Sequence, residues 1–349
     1  DYADYFRQFR RTRLARSWIP NVPIETSRGC WWGERSHCTF CGLNGTTLTF
    51  RSKSAPRALA EMEWLGRRYR GHHMQVVDNI LDLSYFKTLL PDLAAREFKL
   101  SVFFETKSNL KKEQVSLLAR AGVRHLQPGI ESFSDPILKL MRKGVSALHN
   151  IQLLKWCKQF GVTPYWNVLW GFPGEPPEEY ERMAEMVPLL THLQPPIGSY
   201  GVRLDRFSPN HTHAEAMGFT EVRPLPSYRA IYPLPDEAVT NLAYYFFSDY
   251  AEHRHPAGHT ESLLRQIARW RRVQRRSDLF SVDLDGRLIV WDLRPGAARA
   301  LTVLDGVDRD LYLACDGVME IGRLTALAGD VAGDGGPAAE ARLGALVSA

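Results

Sequence analysis

Three of the chain's five cysteines, Cys30, Cys38 and Cys41, are gathered in the stretch Glu25–Gly45 with the spacing C-x7-C-x2-C. A Cys-x-x-Cys pair can belong to a zinc knuckle, but a structural zinc wants four protein ligands. Cys157 and Cys315 are isolated in sequence, and His37 abuts Cys38, where it would point awkwardly if its neighbour were bound. Three thiolates suit a 4Fe–4S cluster held at three irons, with one iron left open for a small molecule. Phe40, just ahead of the last cysteine, and the Trp31-Trp32 pair would shield such a cluster from water and help set its potential.

The elements around that loop alternate. Strand-like runs occur at Val22–Ser27, Met74–Val77, Leu100–Glu105, Val123–Gly129, Pro164–Trp170 and Ser199–Arg206. Helical patterns lie between them at Pro56–Tyr69, Leu83–Arg96, Lys111–Ala121, Pro136–Phe160 (broken near Gly144) and Pro177–Leu193. Gly122 and Gly161 stand where helices should stop, each followed by a valine that begins the next strand. Such alternation predicts an α/β fold with a parallel sheet and right-handed crossovers. Six units are too few to close a full barrel, so the expectation for 21–207 is an open (β/α)6 partial TIM barrel. In that architecture ligands sit at the C-terminal ends of the strands, which is where Cys30 falls.

Flanking segments read differently. Residues 1–20 carry five arginines around Phe6, Phe9, Leu14 and Trp18, giving either a short docking helix or a solvated arm. Residues 208–277 read as an irregular Pro-, His- and Tyr-rich strap followed by helices at Asp236–Tyr250 and Glu261–Arg276. The second helix reads as a basic solvated face or an acidic-peptide dock, with Ile267, Trp270 and Val273 along one apolar side. Residues 278–330 predict a hairpin turning at Asp285-Gly286 and two short helices, a winged-helix-like recognition unit or a plain cap. The remainder, 331–349, is Gly/Ala-rich and reads as a mobile tail.

With 349 residues and 44% hydrophobic composition, the chain can bury one large core and a smaller second one. The net charge of +5 permits an acidic partner without asking for nucleic acid. An odd cysteine count with three clustered predicts metal in a reducing, cytoplasmic setting rather than disulfides. No apolar run approaches the length of a membrane span, so no membrane partner is expected.

The three-cysteine loop closing on Phe40-Cys41 resembles the cluster loop of the radical S-adenosylmethionine (SAM) superfamily. The wording CWWGERSHCTFCGLNG, with GIESFSDPILKLMRKG and GFPGE further on, is similar to a narrower group. That group is the cobalamin-dependent radical SAM C-methyltransferases that mature ribosomally made peptides. The resemblance covers about residues 1–260 most closely. It implies a 4Fe–4S cluster on Cys30, Cys38 and Cys41, with Phe40 beside it, and SAM on the residues that leave the strands. Asp78 and Asn79 would meet the SAM amino group, although VVDNILD stands where many relatives carry a Gly-Gly-Glu type motif. Glu105 would hold ribose hydroxyls and Lys107 would pair with the SAM carboxylate. Glu131 and Ser132 also go to SAM; Asn167 lies on the fifth strand, and Gly171 opens a turn near the adenine end. Arg203, Asp205 and Arg206 either close the pocket or form structural ion pairs.

The activity implied is methylation of an unactivated carbon in a precursor peptide, through a 5′-deoxyadenosyl radical and methylcobalamin. An electron donor such as flavodoxin or ferredoxin is implied with it. The sequence departs from the group in one respect, having no cobalamin-binding domain ahead of the barrel. Its Asp1 start predicts that such a domain lies upstream in a longer protein. Two alternatives remain: cobalamin-independent radical SAM peptide modification (epimerisation or thioether formation), and a non-catalytic zinc-binding recognition module.

Overall fold

The computed structural model describes residues 1–43, 45, 47–69, 73–96, 100–252 and 257–332. The expected tail falls on 331–349, and 333–349 lie outside the described residues. The chain opens with helix α1 (Ala3–Phe9), whose Phe6 is buried and stacks on Tyr69 at 4.8 Å between ring centroids. Beyond it Leu14, Trp18 and Ile19 are exposed. The arm therefore docks by its first half only.

Strand β1 (Val22–Ile24) starts the main sheet, and β2 (Ser27–Arg28) leads into the cysteine loop. That loop holds helix α2 (Trp31–Arg35) and returns through β3 (Arg51–Ser52), which pairs antiparallel with β2. Then follow α3 (Ala55–Arg68), β4 (Met74–Val76), α4 (Leu89–Ala94), β5 (Val102–Glu105), α5 (Lys112–Arg120) and β6 (Val123–Gln127). The expected long fourth helix is broken as anticipated, into α6 (Asp135–Leu140) and α7 (Ala147–Phe160). Ser134 and Ser146 cap them, each accepting a hydrogen bond from the third backbone N–H onward, at 3.3 Å.

The fifth strand is interrupted, giving β7 (Thr163–Pro164) and β8 (Asn167–Trp170). Pro164 has no N–H to offer the ladder, and the chain instead bonds through Tyr165 N to Leu126 O (2.7 Å) and Leu169 N to Glu131 O (2.9 Å). Helix α8 (Glu178–Leu190) and β9 (Gly198–Gly201) complete the alternation. The sheet runs β1-β4-β5-β6-β7, all parallel, with β8 and β9 as a further parallel pair. This is the α/β arrangement the alternation predicts.

Two expectations for 208–277 change. Asp236–Tyr250 is not one helix: α11 (Asp236–Leu242) ends early and β12 (Tyr245–Tyr250) takes over. The run of four consecutive aromatics from Tyr244 to Phe247 favours a pleated surface, and a partner is available on each side. β12 lies between β10 (Leu204–Asp205) and β11 (Phe219–Pro224), both antiparallel. The strap is thus an ordered sheet, carrying the short helices α9 (Pro209–Thr212) and α10 (Pro226–Ile231). The arginine-rich helix α12 (Ala257–Val273) packs along α8, burying Leu263, Ile267 and Trp270 in the same core as the parallel sheet. Trp270 Nε1 donates to Leu193 O at 3.0 Å, so the indole is satisfied where it is buried. Its arginines occupy the opposite side, as a solvated face.

The hairpin forms as expected between β13 (Leu279–Leu284) and β14 (Arg287–Asp292), with Asp285 (φ 50°) and Gly286 (φ 78°) in the left-handed conformations of a tight turn. A third strand, β15 (Leu301–Asp305), was not foreseen and extends it. Helices α13 (Gly306–Ala314) and α14 (Ile321–Ala332) follow. Asp316 ties this unit to the main body through Lys112 (2.8 Å) and Lys155 (3.1 Å). No described helix is long and apolar enough to cross a membrane.

Candidate functional site

The cysteine loop leaves β1 at its C-terminal end, and Asp78 fixes that departure. Its carboxylate accepts from Thr26 N (2.7 Å), Thr26 Oγ1 and Ser27 Oγ (2.9 Å), so both oxygens are occupied in holding the loop. Asn79 follows it, half-buried. The loop's aromatics are pinned at both sides: Trp31 Nε1 donates to Leu81 O (3.0 Å) and Trp32 Nε1 to Arg142 O (3.2 Å). Thr39 N donates to Met141 O (3.1 Å), and Asn210 N donates to Thr39 O (2.8 Å). The loop is therefore clamped between the turn after α6 and the short helix Pro209–Thr212.

Cys30, Cys38 and Cys41 lie within electrostatic reach of one another, and Cys38 also feels Lys143, Glu131 and Lys107. Burial pushes the Cys38 thiol up and the Cys41 thiol to about 11. Cys157 is wholly buried on α7 within the core, and Cys315 is exposed on the C-terminal unit. Neither joins the three. Among the described residues no group of three or more His, Cys, Asp or Glu side chains is drawn close enough for one ion. A cluster, which spreads its thiolates over separate irons, asks for a looser set than zinc does.

Two lysines stand over this loop. Lys107 Nζ lies 3.1 Å from the centroid of the Trp32 ring and donates to Lys143 O (2.5 Å) and Gly144 O (3.2 Å). Its ammonium is thus spent joining the cysteine loop to the turn at 142–144, and burial with the nearby Lys143 charge lowers its pKa to about 8. Lys143, which the sequence did not single out, is largely buried and reaches Glu131 at 3.6 Å. Burial acts against its ammonium, but Glu131 and the Cys38 and Cys41 sulfurs outweigh that and hold it charged. The signal was present in LKLMRKG, one residue before a glycine, but nothing in the pattern ranks Lys143 above Arg142.

The other expected residues divide. Ser132 is fully buried, donating to Met183 Sδ on α8 (3.4 Å) and accepting from Ser134 N (3.1 Å), so it faces the helix layer. Gly171 N donates to both Glu175 oxygens (3.0 and 2.8 Å), which also accept from Phe172 N (2.9 Å), Tyr180 Oη (2.6 Å) and His259 Nε2 (2.9 Å). The GFPGE turn is in this way riveted to α8 and α12. Phe40 sits 6.1 Å from Phe172, edge to face. Arg203 pairs with Asp205 (2.8 Å) and covers the Tyr245 ring at 3.6 Å, while Arg206 Nε donates to Ala243 O (2.6 Å). Arg203 and Asp205 thus pair with each other and also line the cavity described below, while Arg206 bonds backbone carbonyls.

Trp170 Nε1 on β8 and Ser199 Oγ on β9 are enclosed without a hydrogen-bond partner among the described residues, as are Thr106 Oγ1, Ser108 Oγ, Asn167 Oδ1 and several atoms elsewhere in the fold. Buried polar atoms are nearly always paired in folded proteins. Of these, Trp170 and Ser199 line one cavity, where a polar ligand could meet them. That cavity, of about 820 Å³, opens between Phe40, Leu169, Trp170, Tyr200, Phe246 and Tyr250. One wall comes from the barrel strands and the other from β12.

Glu105 accepts from Gln127 Nε2 at 3.2 Å, and burial, with Asp78 and Glu131 nearby, pushes its carboxyl up to about 7. Between its ordinary value of 4.5 and about 7, the folded chain keeps a proton that the unfolded chain releases. Stability therefore falls as pH rises through that window, and the cost is complete above it. Glu105→Gln should leave the cluster-free protein unchanged at pH 4 and stabilise it by roughly 2–3 kcal/mol at pH 8. Urea unfolding at the two pH values measures this, and equal gains at both would refute it.

Comparison with known proteins follows the same lines. Residues 24–187 match the model of the Radical SAM superfamily. An uncharacterized methyltransferase of Pyrococcus horikoshii is 28% identical over 170 residues, covering 47% of this chain and 36% of that protein. The ribosomal protein uS12 methylthiotransferase RimO of Frankia casuarinae is 27% identical over 183 residues, covering 48% of this chain and 34% of its own. The chain thus matches only about a third of the length of these curated relatives. Among solved structures, the radical SAM methyltransferase TsrM from Kitasatospora setae superposes with a TM-score of 0.53 at 17% identity, over 70% of this chain and 51% of that one. That likeness is one of fold.

Proposed function

Residues 24–187 belong to the radical SAM superfamily, and from that premise we propose that this enzyme methylates an unactivated carbon of a ribosomally made precursor peptide. The observation that carries the reading is the trio Cys30, Cys38 and Cys41 at the C-terminal end of a parallel sheet, beside a cavity lined by Phe40, Trp170 and Ser199. When bound and reduced, a 4Fe–4S cluster with SAM at its open iron supplies a 5′-deoxyadenosyl radical, and cobalamin would supply the methyl.

The chain's own groups bind, orient and exclude water. Cys30, Cys38 and Cys41 hold the cluster; Trp31, Trp32 and Phe40 cover it. Glu105 and Asn167 would hold the adenosyl group, and Glu131 would supply a carboxylate beside it. Asp78 acts through Thr26 and Ser27, by fixing the loop. The cavity between Trp170, Tyr200 and Phe246 takes the reacting side chain, with the β10-β12-β11 sheet as its lid. The unit at 278–332 reads as a recognition module for the peptide, and an external flavodoxin or ferredoxin as the electron donor. Methyl transfer is supported by the relatives' names, which include methyltransferases and a methylthiotransferase. The peptide substrate and cobalamin rest on the sequence resemblance alone.

The test is anaerobic reconstitution, then reduction with methyl-deuterated SAM, cobalamin and a co-expressed precursor peptide. About four irons and four sulfides per chain are expected, with 5′-deoxyadenosine and a deuterated methyl on peptide carbon. 5′-Deoxyadenosine with an epimerised or thioether-bridged peptide would replace methylation by another radical reaction. One zinc per chain and no SAM cleavage would overturn the enzyme reading.

A further inference from the structure

Lys143 is a largely buried ammonium, its side chain 11% exposed. Among the described residues its carboxylate partner is Glu131, 3.6 Å away, longer than an ordinary charge-assisted hydrogen bond. Burying a charge is costly unless it is closely paired. Yet the chain goes to some length to place this one. Arg142 (φ 57°) and Gly144 (φ 59°) are both left-handed, so the turn presenting Lys143 is held in a conformation that Arg142 adopts only under constraint. Gly129, on the loop leading to Glu131, makes the space: a Cβ there would stand 3.1 Å from Lys143 Nζ. Lys107 locks the same turn from below, donating to the carbonyls of Lys143 and Gly144 while covering Trp32.

What Lys143 faces is the cysteine loop. Its Nζ lies 5.6 Å from the Phe40 ring centroid, and the sulfurs it senses are Cys38 and Cys41. Phe40 directly precedes Cys41, so Lys143 stands beside the cysteine loop, and both Lys143 and Glu131 act on the Cys38 sulfur. The cation and its carboxylate partner thus form a pair of opposite charges next to the thiols.

We propose that the Lys143–Glu131 pair is an electrostatic tuning device for the cluster, in which Lys143 raises the cluster's reduction potential and Glu131 limits that rise. This rests on the reading of Cys30, Cys38 and Cys41 as cluster ligands. A fixed cation in a low-dielectric site favours the more negative, reduced form of a nearby centre; an anion disfavours it. The two residues act through the field at the cluster, and neither is a ligand. The proposal assigns the pair opposite signs, which a merely structural pair would not show.

The test is an EPR-monitored redox titration of the reconstituted full chain without SAM, so that no turnover is read. Lys143→Met should shift the midpoint to lower potential, Lys143→Arg should keep it near that of the parent, and Glu131→Gln should shift it upward. Midpoints unmoved in both Lys143→Met and Glu131→Gln, at parental iron content, would overturn the proposal. So would shifts of the same sign. If Lys143→Met assembles no cluster, Glu131→Gln decides alone: an upward shift supports the device and no shift removes it. A parent chain that assembles no cluster would instead take down the ligand reading, and the proposal with it.

Discussion

Chains in which Cys30, Cys38 and Cys41 are all replaced by alanine are expected to lose the brown charge-transfer absorbance and all reductive SAM cleavage. The reason is coordinative: three thiolates leave one iron open, and no other sulfur can stand in. Cys157 is locked in the core behind α7 and Cys315 lies out on the C-terminal unit. Cys157→Ala and Cys315→Ala should therefore keep parental iron content and cleavage, with only a packing cost at Cys157. Metal analysis and 5′-deoxyadenosine production under dithionite read both effects. Cleavage surviving in the triple variant would end the assignment of the site.

How much of this was legible in the sequence follows from the range of each interaction. The cluster loop could be read because its chemistry is local: three cysteines and their aromatic neighbours are consecutive words in the chain. The parallel sheet could be read because strand and helix periods alternate with glycine stops at Gly122 and Gly161. β12 could not, because Asp236–Tyr250 looks helical until β10 and β11 offer it two partners. Trp270 was seen as apolar but not as core, since only the docking of α12 along α8 decides that. At the site, a polar residue after a strand was expected to meet SAM. Strand position fixes a neighbourhood, while the side chain goes where its nearest donors are. Asp78 is occupied by Thr26 and Ser27, and Lys107 by Trp32 and two carbonyls. Lys143 was missed because its placement depends on a left-handed turn and on Gly129, more than ten residues earlier.

Gly42→Ala should be a damaging single methyl addition where the cysteine loop meets the sheet that follows it. Gly42 directly follows Cys41, and a Cβ there would land on the carbonyl oxygen of Arg206 and against Asp205 and the Tyr244 hydroxyl. That carbonyl cannot retreat. Arg206 N donates to Tyr244 O (2.7 Å) and its Nε to Ala243 O (2.6 Å), so the segment is held to the approach of β12 from two sides. Either the cysteine loop or the β10-β12-β11 sheet must shift, at a cost of roughly 3 kcal/mol for a clash with fixed backbone. The shift opens the cluster to water and oxygen, since this sheet and the loop close on each other at that point. The variant is expected to take up iron but to lose its absorbance in air several-fold faster than the parent, and to be cut sooner in the 206–252 segment by limiting protease. Gly258→Ala is the control: it lies in α12 with open space around it, and a helical Gly-to-Ala change is neutral or stabilising by up to about 1 kcal/mol. Air lifetimes for Gly42→Ala indistinguishable from those of Gly258→Ala would show that the sheet does not seal the cluster loop.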